Sequence, residues 1–194
     1  MFAGHFGLAA AVKAADKRTP VWTLMLGTQL LDVLFVPFLL TGQETIESAE
    51  DGVGGYGGSL IHADYTHSLA GALIIALLAA WAGRRFWGRR SGAIIGLVVF
   101  SHWLLDLLVH RPDLPILPGN LGDLPLLGFG LWAHPAISAA LEAALIAGGF
   151  LLYGRSVLAS SKAAGGAAGT VSAYLAAAVM GLLLLGSLLS DMMG

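Results

Sequence analysis

Five long apolar runs, separated by polar segments, dominate the pattern of the chain. They cover residues 21–40, 66–83, 91–109, 131–153 and 171–189. A helix needs about 20 apolar residues to cross a bilayer, so each run is long enough to span it or nearly so. A shorter apolar stretch, residues 2–15, precedes them. The pattern predicts an all-α, polytopic membrane bundle of about five transmembrane helices with a short N-terminal helix.

Composition supports one membrane-embedded domain over residues 1–194. Hydrophobic residues make up 57% of the chain and charged residues only 11%, with a mean hydropathy of +0.79. Soluble domains carry about 25% charged residues, so the chain is expected to be an integral membrane protein. The bilayer is its expected partner, and no nucleic-acid partner is expected. The sequence does not indicate an oligomeric state.

The segments between the runs differ in character. The loop 41–61 is rich in Gly and acidic residues and is predicted to be an irregular, flexible lid. Residues 160–170 have low complexity and are predicted to form a flexible linker. The last run, 171–189, is mostly Ala, Leu and Gly and is interpreted as an anchor without chemistry. The metal-site core is therefore expected within residues 1–118. The run 131–153 is expected to be the fourth span.

Basic residues predict the orientation. Of the 10 Lys and Arg residues, only Arg111 lies in a loop on the acidic side of the bundle. The others flank the opposite ends of the runs: Lys13, Lys17, Arg18, Arg84, Arg85, Arg89, Arg90, Arg155 and Lys162. Because cytoplasmic loops carry the excess of Lys and Arg, we expect a cytoplasmic N-terminus in a prokaryotic cell (inner) membrane.

A polar stripe runs along the third run. His102, Asp106 and His110 are spaced by four and share one helix face. Ionisable residues inside a membrane usually face the protein interior and mark a working site. A patch that only binds a neighbouring helix is the alternative.

Other ionisable residues are predicted at a similar depth. A helix rises about 1.5 Å per residue, so the distance of each residue from the basic end of its run can be counted. Asp32 lies roughly 20 Å from that end, His102 and Asp106 roughly 18 and 24 Å, and His67 roughly 25 Å. His and Asp are suitable zinc ligands, and the chain contains no Cys that could supply a thiolate. The four residues are therefore predicted to bind a divalent metal, with zinc favoured. A structural pairing of Asp32 and a solvated His67 are the simpler alternatives.

His5 lies as far before the Arg18 turn as Asp32 lies after it. If residues 2–15 form a helix that descends to this turn, a helical hairpin brings His5 beside Asp32 and Asp106. A disordered N-terminus is the alternative. This spacing makes His5 a further candidate ligand.

Four more residues are ionisable and less easily assigned. His62 and Asp64 lie in an outer loop. His134, Ser138 and Glu142 are spaced along one face of the fourth run, and Glu142 lies deep in it. Position alone makes Asp64 and Glu142 candidates for a catalytic base, with a structural role for Glu142 as the alternative. The roles of His62, His110 and His134 are open.

The order of these motifs resembles a known family, the membrane-bound metal-dependent hydrolases or YdjM-like proteins. That family shows Gly-His, Pro-Asp-x-Asp-His, His-Arg-Gly-x-Thr-His-Ser and Ser-His-x-x-x-Asp in this sequence order. The matching segments here are Gly4-His5, Leu30-Leu31-Asp32, His62 to Ser68 and Ser101 to Asp106. The resemblance covers about residues 4–118. Leu34 and Phe35 replace the second Asp and the His, and Ala63 and Asp64 replace Arg-Gly.

The resemblance implies a distant similarity to zinc-dependent phospholipase C. It implies that Asp32, His67, His102 and Asp106 are primary ligands. It also implies that His5 holds a second ion through a bridging Asp106. The departures from the family pattern leave a single-metal or degenerate site open.

The expected function is metal-dependent hydrolysis of a phosphoester, in a lipid or lipid-linked head group at the outer interface. A small transporter or a metal- or proton-binding protein is the alternative from another class. It is less favoured because Pro37 is the one clear break that the sequence predicts within a span. A structural membrane protein with a vestigial site is the third possibility.

Overall fold

The computed structural model describes residues 2–48 and 59–193, and within them it confirms an all-α membrane bundle. Its helices are α1 (Phe2–Ala15), α2 (Val21–Thr28), α3 (Leu30–Leu40), α4 (Leu69–Val109), α5 (Pro135–Ala164) and α6 (Ala167–Met193). A short antiparallel hairpin pairs β1 (Thr45–Ser48) with β2 (Ser59–His62). Single 3-10 turns lie at Pro118–Asn120 and Leu131–Ala133.

Within the described ranges, three helices are long and apolar enough to cross a membrane: α4, α5 and α6. The pair α2 and α3 makes a fourth candidate span if the two are counted as one. The long α4 corresponds to two of the predicted runs. Its 41 residues contain a non-helical residue, Gly88, with φ 87° and ψ 171°.

Gly88 divides α4 into two arms that fold back on each other. A Cβ atom at Gly92 would lie 2.5 Å from the Ala80 carbonyl oxygen, and one at Gly96 would lie 2.7 Å from the Ala80 Cβ. Such close backbone approach between helices depends on small residues. The hairpin brings the start of the first arm level with the end of the second, near Trp103.

The first predicted span is broken, but at a different residue than expected. Helix α2 ends at Thr28, Gln29 is its C-cap, and α3 restarts at Leu30 with a bend of 48°. Pro37, where the sequence predicted the break, lies inside α3. The break places Asp32 in the first turn of a new helix.

Helix α1 packs into the bundle as predicted, but its closest backbone contact is with α5 and not with the first span, against which the sequence predicted it to pack. A Cβ at Gly149 would lie 2.0 Å from the Gly7 carbonyl oxygen, and a Cβ at Gly7 would lie 2.5 Å from the Leu145 carbonyl oxygen. At its other end, the backbone N–H of Ala3 donates to Asp191 of α6 at 2.8 Å. The predicted anchor helix therefore contributes a polar contact to α1.

Three sequence predictions are wrong in detail. Residues 160–170 are mostly helical, and only Gly165 and Gly166, both with positive φ, separate α5 from α6. The fourth predicted run, 131–153, corresponds to α5, which starts at Pro135 and continues to Ala164. The ends of the loop 41–61 pair as a hairpin, whereas its centre, with Glu50 and Asp51, lies outside the described residues.

Candidate metal centre

His102 and Asp106 lie one turn apart on the second arm of α4 and point into the bundle. Both side chains are buried, and His102 Nε2 lies 3.0 Å from Asp106 Oδ2. The predicted polar stripe therefore faces the protein interior. Packing on the same arm comes from Val99 and Trp103, which belong to a hydrophobic cluster with Leu31 of α3.

His67 lies in the turn just before α4, so it is not part of the span predicted at residues 66–83. Its neighbours hold this turn. Ser68 is the N-cap of α4, and its hydroxyl accepts from the Gly71 N–H at 3.0 Å and donates to the Tyr65 carbonyl at 2.9 Å. The Trp103 indole donates to the His67 carbonyl at 2.8 Å. Ser68, which follows His67, thus stabilises the start of α4 as its N-cap.

Asp32 joins these three residues from α3. Its Oδ1 lies 3.3 Å from His67 Nε2 and 3.5 Å from His102 Nε2. The two imidazole Nε2 atoms are 3.3 Å apart, and His67 Nε2 is 3.7 Å from Asp106 Oδ2. Four side chains predicted from three separate runs therefore lie in one cluster.

The two imidazole Nε2 atoms and the two carboxylate oxygens lie close to one another. Five of the six distances among them are between 3.0 and 3.7 Å. A tetrahedral zinc with bonds of 2.0–2.1 Å requires ligand atoms about 3.3 Å apart. In the described structure, His and Asp groups form two sets that could each hold a metal ion: Asp32 with His67 and His102, and His5 with His102 and Asp106. The ligand atoms of each set lie within 4.8 Å of one another, and His102 belongs to both.

The hydrogen bonds determine which imidazole nitrogens face the centre as acceptors. His102 Nδ1 lies 2.6 Å from the Thr28 carbonyl oxygen, which can only accept, so Nδ1 carries the proton. His67 Nδ1 lies 2.9 Å from the Thr66 hydroxyl, which lies 3.1 Å from both carboxylate oxygens of Glu44. Thr66 therefore donates to Glu44 and accepts from His67 Nδ1–H. In its neutral form, each imidazole then directs an Nε2 lone pair inward.

Glu44 is the residue that sequence reasoning missed. It lies in the acidic loop 41–61, but it is buried and also accepts from the backbone N–H groups of Tyr65 and Thr66, each at 2.8 Å. It lies 22 residues before Thr66 in the chain. No periodicity links two residues across such a loop, and the one available signal was the Thr that precedes His67.

His5 approaches from α1 on the far side of Asp106. Its Nε2 lies 3.3 Å from Asp106 Oδ1, while Oδ2 of the same carboxylate faces His102 and His67. The His5 ring stacks on that of His102 at a centroid distance of 4.0 Å and an interplanar angle of 9°. Asp106 thus directs Oδ1 toward His5 and Oδ2 toward His102 and His67.

His110 extends the cluster outward by one turn. Its Nε2 lies 3.9 Å from Asp106 Oδ2, and its Nδ1–H donates to Asp113 Oδ1 at 3.0 Å. The Trp132 ring contacts the imidazole at a centroid distance of 4.3 Å. This buried imidazole therefore connects Asp106 to the partly exposed carboxylate of Asp113.

The cluster is enclosed on most sides and open at one. The side chains of His67, His102 and Asp106 are at most 5% exposed, whereas that of Asp32 is 39% exposed. A small molecule or water can therefore approach along Asp32.

The remaining candidates lie elsewhere. Glu142 is fully buried on α5, and Asp64 is partly exposed in the turn before His67, where its carbonyl accepts from Gly119 N–H. A role as base for either residue stays a prediction. His62 is exposed and pairs with Thr45 at the end of β2. His134 is the exposed N-cap of α5, so it does not lie on the helix face predicted for it.

Comparison with known families now adds to this geometry. The model of the family described as YdjM inner membrane protein matches residues 2–119. The chain belongs to the YdjM inner membrane protein family. The match ends within the turn Pro118–Asn120 and so includes every residue of the His/Asp cluster. No curated protein and no solved structure matches the chain. As a YdjM family member with apolar spanning helices, the protein is placed in the lipid bilayer of an inner membrane.

Proposed function

We propose that this protein is a membrane-embedded, zinc-dependent hydrolase that cleaves a phosphoester, in a lipid or lipid-linked substrate at the outer interface. The observation that supports it is the close approach of four possible ligand atoms, two imidazole Nε2 and two carboxylate oxygens, in one largely enclosed cluster. Buried acceptors that face one another need a cation between them. A divalent ion satisfies all four atoms at once, whereas protons on the imidazoles would do so as two separate imidazolium–carboxylate pairs.

Asp32, His67, His102 and Asp106 would hold that ion. Such an ion supplies Lewis-acid polarisation of a phosphoryl oxygen and lowers the pKa of water toward neutrality. The protein supplies the rest. The hydrogen bonds to Thr28 and Thr66 keep both imidazoles in the ligating tautomer, and the exposed side of Asp32 is where a substrate enters.

His5 and Asp106 are proposed to hold a second ion. The basis is the Asp106 carboxylate, whose Oδ1 faces His5 and whose Oδ2 faces the other imidazoles. A carboxylate in this position can bridge two cations. Asp64 and Glu142 remain the proposed bases, from their position alone.

Metal content of purified protein tests the proposal. Wild type is expected to retain zinc, and His102→Ala and Asp106→Asn to lose it, whereas His62→Ala, on the exposed end of β2, retains it. His5→Ala is expected to keep one ion and lose the second. Equal zinc content in wild type and His102→Ala would refute the metal centre, and equal content in His5→Ala would refute the second ion.

Hydrolysis is tested separately on bis(p-nitrophenyl) phosphate and on a phospholipid in mixed micelles. We expect activity that a chelator abolishes and added zinc restores, and that Asp106→Asn lacks. A protein that holds zinc at full occupancy but cleaves neither substrate would contradict the phosphoesterase assignment while leaving the metal centre intact.

Transport is the second candidate, and one observation favours it. The span that carries Asp32 is broken at Gln29, and broken helices at buried ion sites are typical of secondary transporters. Zinc or proton uptake into proteoliposomes distinguishes the two. Uptake that Asp32→Asn abolishes, in the absence of hydrolysis, would support transport instead.

A further inference from the structure

Away from the His/Asp cluster, a two-part cleft lies among α1, α2, α5 and α6. Its larger part has a volume of about 600 Å³ and is lined by apolar side chains that include Phe6, Met25 and Leu183. Its smaller part, about 450 Å³, is lined by two lysines and four serines. Tyr153 and Ala176 line both parts, so the two are adjacent. The cleft is therefore apolar along one section and cationic and hydroxyl-rich at one end.

The cationic end is built from the last turn of α1 and the facing end of α5. Lys13 Nζ donates to the carbonyls of Lys17 and Thr19 at 2.9 and 2.7 Å, which holds the ammonium in place. Lys17 Nζ donates to the Ser160 hydroxyl at 2.8 Å. No acidic side chain lines this part of the cleft within the described residues. The charge here is complementary to an anion.

Ser161 adds an independent indication of a ligand. Its side chain is only 9% exposed, and its hydroxyl has no hydrogen-bond partner within the described part of the chain. It lines the cationic end and faces Gly169 in the first turns of α6. A buried hydroxyl without a partner is costly, and a phosphate oxygen is a strong acceptor for it.

We propose that this cleft binds one anionic phospholipid. The phosphate lies against Lys13, Lys17 and Ser161, and an acyl chain follows the apolar part along α6. Charge complementarity selects the head group, and the adjacent apolar section selects a lipid over a free anion. The basic side of the bundle is also the side that the positive-inside rule assigns to the cytoplasm, where anionic lipids attract Lys and Arg.

Such a lipid would contact both α1 and α6, which belong to one hydrophobic cluster with Tyr153 of α5. Binding to the folded bundle raises its stability by mass action. Because α1 also carries His5, the lipid would help to hold this helix in the bundle. The proposal itself does not depend on a metal or on hydrolysis.

Native mass spectrometry and thermal unfolding of the full chain in detergent test the proposal, with dioleoyl-phosphatidylglycerol, dioleoyl-phosphatidylcholine and inorganic phosphate as probes. We expect one phosphatidylglycerol per chain, a rise in Tm with that lipid, and a smaller rise with either other probe. An equal rise with phosphatidylcholine would refute anion selection. An equal rise with inorganic phosphate would refute a lipid occupant.

Variants complete the test. Lys17→Gln with Ser161→Ala is expected to weaken phosphatidylglycerol binding at least fivefold. The Tm without lipid should change little, since Ser161→Ala removes a hydroxyl without a partner and Lys17→Gln removes one exposed hydrogen bond to Ser160. Lys162→Gln, an exposed neighbour outside the cleft, is the control. Ala176→Phe, where the two parts meet, is expected to block the lipid and to leave phosphate binding intact. Unchanged lipid binding in both the double variant and Ala176→Phe would overturn the proposal.

Discussion

The hydroxyl of Thr66 lies 3.1 Å from each carboxylate oxygen of Glu44. Because the same hydroxyl contacts His67, it connects this buried acid to the candidate metal centre. Through Thr66, Glu44 determines which nitrogen of His67 is protonated. Outer partners of this kind orient metal-binding imidazoles and raise their basicity, and their loss typically costs 10- to 100-fold in metal affinity.

Glu44→Gln is therefore expected to weaken zinc affinity about 10- to 100-fold without unfolding the protein. The amide keeps the shape of the carboxylate but removes its charge and one acceptor. The matched control is Glu47→Gln, an exposed residue on β1. Zinc competition against a chelator and the visible spectrum of the cobalt-substituted protein measure the effect. Identical affinity in both variants would remove Glu44 from the centre.

Helices α1 and α5 cross with their backbones in contact at Gly7 and Gly149, so a side chain added at Gly149 is expected to destabilise the bundle. A methyl group at Gly149 would lie 2.0 Å from the Gly7 carbonyl oxygen, so Gly149→Ala must push the helices apart. We expect a loss of about 1–3 kcal/mol in the free energy of unfolding. Gly148→Ala, next to it on α5 with open space at its Cβ, should be neutral or stabilising. Thermal unfolding in detergent compares the two variants, and equal Tm values would contradict the crossing.

Orientation remains a prediction from the basic residues, and single cysteines test it in intact cells. Cysteines at Glu47 and Leu121 should react with an impermeant maleimide added outside, whereas cysteines at Arg89 and Lys162 should not. Gly88 is avoided because its φ of 87° strains any other residue. The chain has no cysteine of its own, so the background is clean. External labelling at Arg89 would reverse the topology.

The turn between α1 and α2 predicts a pH-dependent contribution to stability. Asp16 Oδ2 accepts from the Thr19 N–H at 2.9 Å, and Arg90 Nε lies 3.4 Å from Oδ1. Burial by itself raises the pKa of Asp16, but the Thr19 hydrogen bonds and the Arg90 charge outweigh it and hold the pKa below 3.8. A carboxyl with a lowered folded pKa stabilises the fold above its unfolded pKa, and this stabilisation is lost as the pH falls through the folded value.

Asp16→Ala should therefore cost about 1.5–3 kcal/mol in unfolding free energy at neutral pH. The difference from wild type should shrink as the pH falls below 3.8, the usual pKa of Asp. Asp16→Asn keeps the capping shape but cannot ionise, so it should lose less stability than Asp16→Ala, and its difference from wild type should shrink over the same pH range. Chemical unfolding at a series of pH values measures all three proteins. A constant difference at every pH would show that the ionised carboxylate contributes nothing.

The sequence by itself determined the class of the protein, the helices and most of the cluster. Apolar runs of spanning length must be helical in a bilayer because their backbone groups have no other partners. The spacing of four placed His102 and Asp106 on one face, and distance from the basic ends predicted that Asp32 and His67 lie at the same depth. His5 followed from its equal spacing about the Arg18 turn. These are local or one-dimensional properties, so the residue pattern contains them.

The tertiary structure decided the features that depend on contacts between distant segments. No proline marks the break at Gln29 in the sequence. Because α2 ends there, the Thr28 carbonyl is available to accept a hydrogen bond from His102 Nδ1–H. Glu44 reaches Thr66 across a loop whose path no periodicity describes. The crossing of α1 on α5 depends on how Gly7 and Gly149 meet. Which atoms face the centre, and which protons they carry, is therefore a property of the packed bundle, because hydrogen bonds from other segments select one tautomer for each imidazole.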